Sequence, residues 1–506
     1  MLDEFNGSSK KVTTAESIVN TFEWVITALI LAFTFRAFIL EAFQIPTGSM
    51  ADTLMGDHFR ICCTQCGYSY EYNFNPYLQK RYKANSAGLY QLVPSPRCPS
   101  CGYYENPNTV VPLSKGDRIL VLKCIYQFAE PKRWDVIVFK NPIDPKENYI
   151  KRLIAKPGET IEVVDGDIYI NGILARKPAK VQEEMWMCVY NNDYQPIRLT
   201  EGRFNGHPWR QPFTNDRDSQ WKYNPIRPTE FTLESPAEIT NVMFYDTRKG
   251  NDFRAVYAYG DPQFYHNIPY CSDLMMNYYA TFQSDGGTVG IGLTKYASLY
   301  KAYLNLSGES CEMIIEKVDT LGQTAELVRK EISPPAPGKT FSVRFSNVDH
   351  ELIFEIDKEK LTYDLGTDRN DAGERLSDIE PRALICGSGN LTLSHVALYR
   401  DIHYLSTRPD SRQPVDRAGE NNPFTLGENE YFVMGDNSPD SADSRLWTIE
   451  GIGNNGNKYR MGIVPRDYLT GKAFFVYWPS GFRVNESGVA LVPNVGRMRF
   501  IYGGKN

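Results

Sequence analysis

The feature that most limits how this chain can fold is a long apolar segment near its N-terminus. Ile18 to Leu40 have the sequence IVNTFEWVITALILAFTFRAFIL. A helix needs about 20 apolar residues to cross the hydrocarbon core of a bilayer, so we predict a transmembrane helix over residues 17–40. Glu23 and Arg36 lie near its ends, where long side chains can reach the head groups. No small-x-small cleavage site marks it as a removable targeting peptide, and we expect it to stay as an anchor behind a tail of residues 1–16.

Length and charge limit the classes of protein to which the rest of the chain can belong. The chain has 506 residues, of which 42% are hydrophobic and 23% are charged. A chain of this length exceeds what one hydrophobic core organises, so we expect about two to four folded units, some of them insertions. The net charge of -6 provides no basic field, and nucleic acid is therefore not an expected partner.

Short alternating runs separated by Gly, Pro and Asp turns predict a mainly β protein after the apolar segment. One of them, NYIKRLIAKPGETIEVVDGDIYING, surrounds Lys151 and Arg152 with apolar residues. One of these two basic side chains is therefore expected to be drawn toward a core. Burial disfavours the charged form of lysine and lowers its pKa by several units, so that a neutral lysine can take a proton from a serine. The alternative is that Lys151 lies on a solvated strand edge.

Two further segments contain candidate catalytic groups. In FQIPTGSMADTLMGD, Pro46 and Gly48 place Ser49 on an irregular turn, where a serine often serves only to form the turn. The segment ENEYFVMGDNSPDSADSRLWTIEG is an Asp, Ser and Asn-rich loop with more hydrogen-bonding capacity than a connector needs, although a solvated turn is the alternative. None of the six histidines has the context of a Ser-His-Asp triad.

These segments together resemble bacterial signal peptidase I, because PTGSM, YIKR and MGDNSPDSADSR follow one another in the order of that family behind an N-terminal anchor. The resemblance implies a catalytic domain of signal-peptidase type, with Ser49 as the nucleophile and Lys151 as the general base. GKAFFVYWP resembles the closing strand of the family, so the match covers residues 15–60, 113–173 and 427–480. The family usually has Ser where this chain has Thr47 and Pro where it has Asp52, and Pro439 is an additional departure.

The same resemblance implies supporting roles for other residues. The Thr47 hydroxyl and the Ser49 backbone N–H would form an oxyanion hole, whose donors are worth about 3 to 4 kcal/mol each. Ser441 would hydrogen-bond to Lys151 and orient it. Asp443 would pair with Arg445 or with Arg152 and hold the loop in place.

The resemblance also implies the substrate and the location. Exported preproteins would be cut after small residues of the Ala-x-Ala type, with no cofactor for catalysis. The substrate would bind as an extended strand, and membrane lipid and the export machinery would be further partners. The enzyme would cross the bacterial inner membrane once, with its catalytic domain on the outer, periplasmic side.

Two pairs of cysteines indicate a metal site. CCTQCGY and RCPSCGY each contain a C-x-x-C-G sequence and resemble the knuckles of a zinc ribbon. Four thiolates from two such turns suit tetrahedral Zn²⁺ in a structural site. The predicted ligands are Cys63, Cys66, Cys98 and Cys101, with Cys62 as a substitute. Two disulfides are the alternative in an oxidising compartment.

A second insertion consists of many short alternating runs, among them FRAVYAYG, TVGIGLTKY, FSVRFSNV and ELIFEID. Turn signals separate them, which predicts an inserted β-sandwich of jelly-roll type. The pattern resembles concanavalin-like and laminin-G domains, which implies a glycan ligand. A protein ligand or a rigid shield without any ligand is the alternative. Trp186, Trp209 and Trp221 are candidates for stacking on a sugar or for places in the core.

The predicted organisation is therefore a catalytic domain in three parts, residues 41–61, 113–180 and 421–506, interrupted by a zinc-ribbon-like insertion at 62–112 and a β-sandwich at 181–420. Two other classes of protein are alternatives. A self-cleaving Ser-Lys regulator would generally carry a DNA-binding head, which the sequence does not indicate. A surface-exposed binding or scaffold protein on an inactive core would not need to retain Ser49, Lys151, Ser441 and Asp443 together.

Overall fold

The computed structural model describes residues 14–504 apart from a set of internal segments. The segments left out are 75–81, 85–88, 93–94, 107–108, 201, 205, 224–228, 257–258, 260–267, 374–378, 407–416, 454–455, 457 and 482–493. The expected N-terminal tail lies, over residues 1–13, outside the described residues.

Short strands make up most of the secondary structure, which confirms the prediction of a mainly β fold. The helices are α1 (Thr14–Phe38), α2 (Ile125–Phe128) and α3 (Ala179–Glu183), and 3-10 turns cover Ser438–Asp440, Arg466–Tyr468 and Val495–Arg497. The strands up to residue 174 are β1 (Leu40–Gln44), β2 (His58–Cys62), β3 (Ser69–Asn73), β4 (Tyr82–Ala84), β5 (Leu89–Leu92), β6 (Val110–Ser114), β7 (Arg118–Leu122), β8 (Val136–Lys140), β9 (Asn148–Ala155), β10 (Thr160–Val164), β11 (Asp167–Ile170) and β12 (Ile173–Leu174).

The strands of the long middle part are β13 (Met187–Asn191), β14 (Phe213–Asn215), β15 (Lys222–Tyr223), β16 (Glu230–Glu234), β17 (Asn241–Tyr245), β18 (Leu274–Phe282), β19 (Gly286–Lys295), β20 (Ser298–Ser307), β21 (Ser310–Val318), β22 (Thr324–Glu331), β23 (Thr340–Val348), β24 (Glu351–Ile356), β25 (Glu359–Asp364), β26 (Ala383–Gly387) and β27 (Asn390–Arg400). The last strands are β28 (Phe424–Thr425), β29 (Glu430–Met434), β30 (Gly451–Ile452), β31 (Lys458–Tyr459), β32 (Val464–Pro465), β33 (Leu469–Trp478) and β34 (Arg499–Phe500).

Helix α1 extends from Thr14 to Phe38 and is not packed into the folded part of the protein. None of its 25 residues is buried. Among the described residues it is the one helix long and apolar enough to cross a membrane. It ends two residues earlier than predicted because Leu40 already pairs with Leu122 in a sheet. An apolar helix exposed on all sides is what a membrane-spanning segment requires.

The sheet that holds the candidate catalytic segments combines strands from distant parts of the sequence. Its order is β1-β7-β33-β8-β9-β29-β32, with β34 added beside β33. We call it the core sheet. β1 precedes Ser49, β9 contains Lys151, and β29 leads into the Asp- and Ser-rich loop. Hydrogen-bonded neighbours in a sheet lie about 4.8 Å apart, so the pairing of β9 with β29 brings Lys151 close to the Asp- and Ser-rich loop. β1 lies at one end of the order, and Ser49 reaches Lys151 through the turn that follows β1.

Two larger sheets form a separate layered unit, here called the two-sheet module. One has the order β15-β16-β27-β18-β23-β24-β25 and the other β14-β17-β26-β19-β20-β21-β22. Phe345 and Leu393 of the first sheet share one buried cluster with Ile291 and Leu304 of the second. The alternation of buried and exposed residues along these strands therefore places one face of each sheet against the other.

A five-stranded sheet, β3-β2-β6-β5-β4, lies around the cysteine pairs. We call it the cysteine module. Its cluster of buried residues includes Phe59 and Tyr72 together with Trp209, which comes from the chain that follows β13. Trp221 lies in the core of the two-sheet module. The exposed fractions of Trp209 and Trp221 are 9% and 5%, which favours the core alternative for both side chains.

Candidate active site

Ser49 lies in the connection between β1 and β2, residues 45–57, which we call the Ser49 turn. Asp117 holds both ends of this turn. Its backbone carbonyl accepts a hydrogen bond from the Ile45 N–H at 3.0 Å, and its carboxylate accepts one from the Met55 N–H at 3.0 Å. Asp117 directly precedes β7, and no sequence motif singled it out. Ser49 is 6% exposed.

Lys151 points from the middle of β9 at the Ser49 hydroxyl. Its Nζ lies 2.6 Å from the Ser49 Oγ and 3.1 Å from the Ile150 carbonyl oxygen. The ring of Tyr149 is 5.4 Å from the same Nζ. The side chain is 4% exposed, so the alternative of a solvated strand edge is wrong. Burial lowers the pKa of Lys151 from 10.5 to about 8, although Asp443 and Asp436 act in the opposite direction.

The loop of residues 435–447, after β29, packs directly against the Ser49 turn. The Asn437 N–H donates to the Ser49 carbonyl oxygen, and the Asn437 Nδ2 donates to the Gly48 carbonyl oxygen, both at 3.1 Å. A Cβ on Gly435 would lie 2.3 Å from the Ser49 carbonyl oxygen and from the Ser441 Oγ. Only glycine therefore fits at position 435. Neither Gly435 nor Asn437 was singled out from the sequence, although both belong to the MGDN run.

Ser441 and Asp443 both lie in this loop and are buried. Asp443 forms an ion pair with Arg445 at 2.7 Å and accepts the Gly435 N–H at 2.9 Å. Although burial would raise the pKa of Asp443, the Arg445 guanidinium holds it below its usual value. The Ser441 Oγ lies beside the Asp443 carboxylate and helps to lower its pKa, but among the described residues it forms no hydrogen bond to the Lys151 Nζ. The predicted bond from Ser441 to Lys151 therefore stays a prediction.

Arg152 pairs with Asp436 and not with Asp443. Its guanidinium forms a bidentate ion pair with Asp436, at 2.8 and 2.7 Å, and the two side chains are 0% and 1% exposed. Successive residues of a strand point to opposite faces, so Arg152 points away from Ser49 while Lys151 points toward it. Asp436 was not among the predicted site residues.

The two predicted oxyanion donors differ in their surroundings. Thr47 is exposed at the start of the turn. The Ser49 backbone N–H donates to no other described residue. An oxyanion hole needs donors aimed at the position that the oxyanion will occupy, and the roles of Thr47 and of the Ser49 N–H stay predictions.

The four predicted metal ligands converge at the edge of the cysteine module. Their sulfur atoms all lie within 4.8 Å of one another. The distances from Cys63 to Cys101 and from Cys66 to Cys98 are each 3.7 Å. Four sulfurs on a tetrahedron with Zn–S bonds of about 2.3 Å would be about 3.8 Å apart, so this set fits Zn²⁺. Cys62 is exposed, and all ten cysteines are free thiols.

Part of the chain is similar to a known protein family. The family described as Signal peptidase, peptidase S26 matches residues 105–202 and 394–478. Both matched ranges lie outside the interval of residues 203–393, which holds most of the two-sheet module. Ser49 lies before the matched residues.

Part of the chain is also similar to curated signal peptidases. The signal peptidase I of Rickettsia felis is 31% identical over 166 residues, which cover 33% of this chain and 47% of that protein. Signal peptidase I T of Bacillus subtilis is 33% identical over 96 residues, covering 18% of this chain and 49% of that protein. The chain spans about half the length of the curated relatives it matches. The predicted relation to signal peptidase I is confirmed.

Solved structures gave weaker likenesses. A carbohydrate binding module, CBM66 from Bacillus subtilis, covers 38% of this chain and 99% of its own length at 8% identity and a TM-score of 0.24. Lactose-liganded congerin II covers 26% of this chain at 17% identity and a TM-score of 0.20. TM-scores this low support no conclusion about a ligand of this protein.

Proposed function

We propose that this protein is a membrane-anchored serine endopeptidase that removes signal peptides from exported preproteins. The observation that carries the proposal is the buried contact of 2.6 Å between the Lys151 Nζ and the Ser49 Oγ. It occurs in a chain whose neighbouring segments match the signal peptidase family.

In the proposed mechanism Lys151, when neutral, accepts the proton of Ser49 as the Ser49 Oγ attacks the scissile carbonyl carbon. The Ser49 N–H and the Thr47 hydroxyl stabilise the oxyanion that forms. The protonated Lys151 then returns its proton to the leaving amine, and the acyl group stays on Ser49. Water attacks the acyl-enzyme with Lys151 again as the base, which releases the signal peptide and restores the free hydroxyl.

The proposed location and partners are supported by the apolar helix α1 and by the similarity to signal peptidase I. Helix α1 would cross the cytoplasmic membrane of a bacterium once, with its N-terminus inside and the core sheet on the outer face, where translocated preproteins emerge. The substrate would be extended, with small residues of the Ala-x-Ala type before the cut, and would pair with a strand edge. Membrane lipid and the export machinery are the further proposed partners.

The two insertions are proposed to be structural additions to a catalytic domain built from residues 41–61, 113–180 and 421–506. Cys63, Cys66, Cys98 and Cys101 would hold one Zn²⁺ that stabilises the fold of the cysteine module. Bound there, the ion would cross-link the two knuckles and supply no step of the reaction. A glycan or protein ligand of the inserted β-sandwich (residues 181–420) remains a prediction from the sequence.

The test is cleavage of a preprotein with an Ala-x-Ala junction by the full-length protein in detergent or lipid. We expect the wild type to cut and Ser49→Ala and Lys151→Ala to be inactive. Ser346→Ala is the matched control, because Ser346 is 3% exposed but lies in the two-sheet module, and it should retain full activity. An inert wild type, or an active Ser49→Ala variant, would favour the alternative of a binding or scaffold protein on an inactive core.

A further inference from the structure

Tyr259 of the two-sheet module lies against the Ser49 turn. It belongs to the chain between β17 and β18, is 0% exposed, and forms a small buried cluster with Ala51 and Met55. A residue from a distant insertion therefore supplies one wall of the turn that carries the serine.

The ring of Tyr259 fills the space beside Gly48. A Cβ built on Gly48 would lie 2.1 Å from the Tyr259 Cε1 and 2.6 Å from its Oη. The Tyr259 hydroxyl also donates to the Asp57 carbonyl oxygen at 3.4 Å, near the end of the turn. Gly48 and the ring are thus complementary in shape, and the residue directly before Ser49 cannot move toward the two-sheet module.

The cysteine module completes this contact. The Asn73 N–H, at the end of β3, donates to the Tyr259 carbonyl oxygen at 2.8 Å. The Asn73 Nδ2 donates to the Asp440 carboxylate at 2.7 Å. Asp440 directly precedes Ser441 in the loop that holds the Ser49 carbonyl. Both insertions therefore contact the two segments that set the position of Ser49.

We propose that Tyr259 is a positioning residue, which together with Asn73 fixes the Ser49 turn at the distance from Lys151 that proton transfer needs. A serine attack depends on geometry at the scale of 1 Å, and a misplacement of that size can lower the rate about 100-fold. The inserted modules would then be required for turnover although they contribute no reacting group. This inference rests on the proposed function for its effect on catalysis, but its structural part is independent of that function.

The structural part is tested by hydrogen exchange in the full-length protein. In the wild type the Ala51 N–H and the Leu54 N–H are bonded to the Gly48 and Met50 carbonyl oxygens. Exchange of these amides should become at least about tenfold faster in Tyr259→Ala and stay near the wild-type rate in Tyr259→Phe, which keeps the ring. Leu304→Ala also removes a large buried side chain, but in the core of the two-sheet module. This variant should leave the exchange rates of the two amides unchanged. Unchanged exchange in Tyr259→Ala would overturn the proposal, whatever the activity.

The catalytic part is tested with the preprotein assay. Tyr259→Ala should lower kcat by about 10-fold to 100-fold with a smaller change in KM, because the turn and not the substrate site is displaced. Tyr259→Phe should recover most of kcat, and Leu304→Ala should lower the Tm without lowering kcat. A normal kcat in Tyr259→Ala would contradict the positioning role. A wild type that cuts no preprotein would instead contradict the proposed function, and the exchange measurement would then decide the inference alone.

Discussion

At the scale of residues, burial of the Lys151 amino group determines whether this side chain can act as a base. A lysine with a pKa near 10.4 is neutral in about one molecule in a thousand at pH 7.4, whereas at a pKa of about 8 roughly one in five is neutral. Lys151 reaches this state because the core sheet and the Ser49 turn exclude water from it, and Asp443, which would favour the charged form, is paired with Arg445. The same side chain on a strand edge would be a surface cation.

The first prediction concerns the pH dependence of the reaction. Because only neutral Lys151 accepts the serine proton, kcat/KM should rise as the pH increases, reach half of its maximum near the pKa of about 8, and level off above it. The profile should be measured on a soluble peptide between about pH 6 and pH 10. Lys140→Ala, on the neighbouring strand β8, should leave the midpoint unchanged. A profile that is flat or that falls across this range would rule out Lys151 as the base.

Strand pairing explains, at the scale of elements, why the sequence revealed only part of the site. The runs around Ser49 and Lys151 and the loop with Ser441 and Asp443 were recognisable as separate segments. Which of these segments come into contact depends on the strand order of the core sheet, in which β9 lies between β8 and β29. The sequence also left open whether Asp443 pairs with Arg445 or with Arg152, because the choice depends on the direction in which each side chain leaves the backbone.

The second prediction tests the ion pair that joins β9 to the end of β29. Asp436→Asn would leave the Arg152 guanidinium buried without a counter-charge, which typically costs about 3 to 5 kcal/mol in the free energy of unfolding. Denaturant unfolding monitored by tryptophan fluorescence would measure the loss. The control is Glu450→Gln, which breaks an exposed pair with Lys458 and should cost less than about 1 kcal/mol. Equal stability of the two variants would contradict a structural role for the Arg152 pair.

The third prediction concerns the cysteine module. The purified wild type should contain about one zinc ion per chain, since four thiolates complete a tetrahedral site. Cys98→Ser should lose most of the metal, whereas Cys311→Ser, a buried thiol in the two-sheet module, should retain it. Elemental analysis measures the zinc content. Titration of free thiols tests the disulfide alternative, because cysteines in disulfides do not react. A wild type that lacks zinc and contains two disulfides would show that the disulfide alternative is right.

At the scale of the whole molecule, a core sheet is joined to a smaller cysteine module and to a larger two-sheet module. The sequence predicted the anchor, the mainly β fold and the relation to signal peptidase I, because these depend on local pattern and on motifs. It did not predict the buried ion pairs of Lys177 with Asp349 and Asp401, or the buried pair of Lys295 with Asp273 inside the two-sheet module. Such pairs join residues more than twenty positions apart, and no local periodicity identifies them.

The most direct measurement of the central claim is the position of the cut in a preprotein presented in lipid bilayers, determined from the mass of the released mature protein. We expect a single cut directly after the Ala-x-Ala sequence, abolished by Ser49→Ala in the enzyme and by a bulky residue such as Phe in place of the last Ala in the substrate. Cutting elsewhere, or equal cutting with Phe at that position, would contradict the assignment as a signal peptidase with a Ser49 and Lys151 pair.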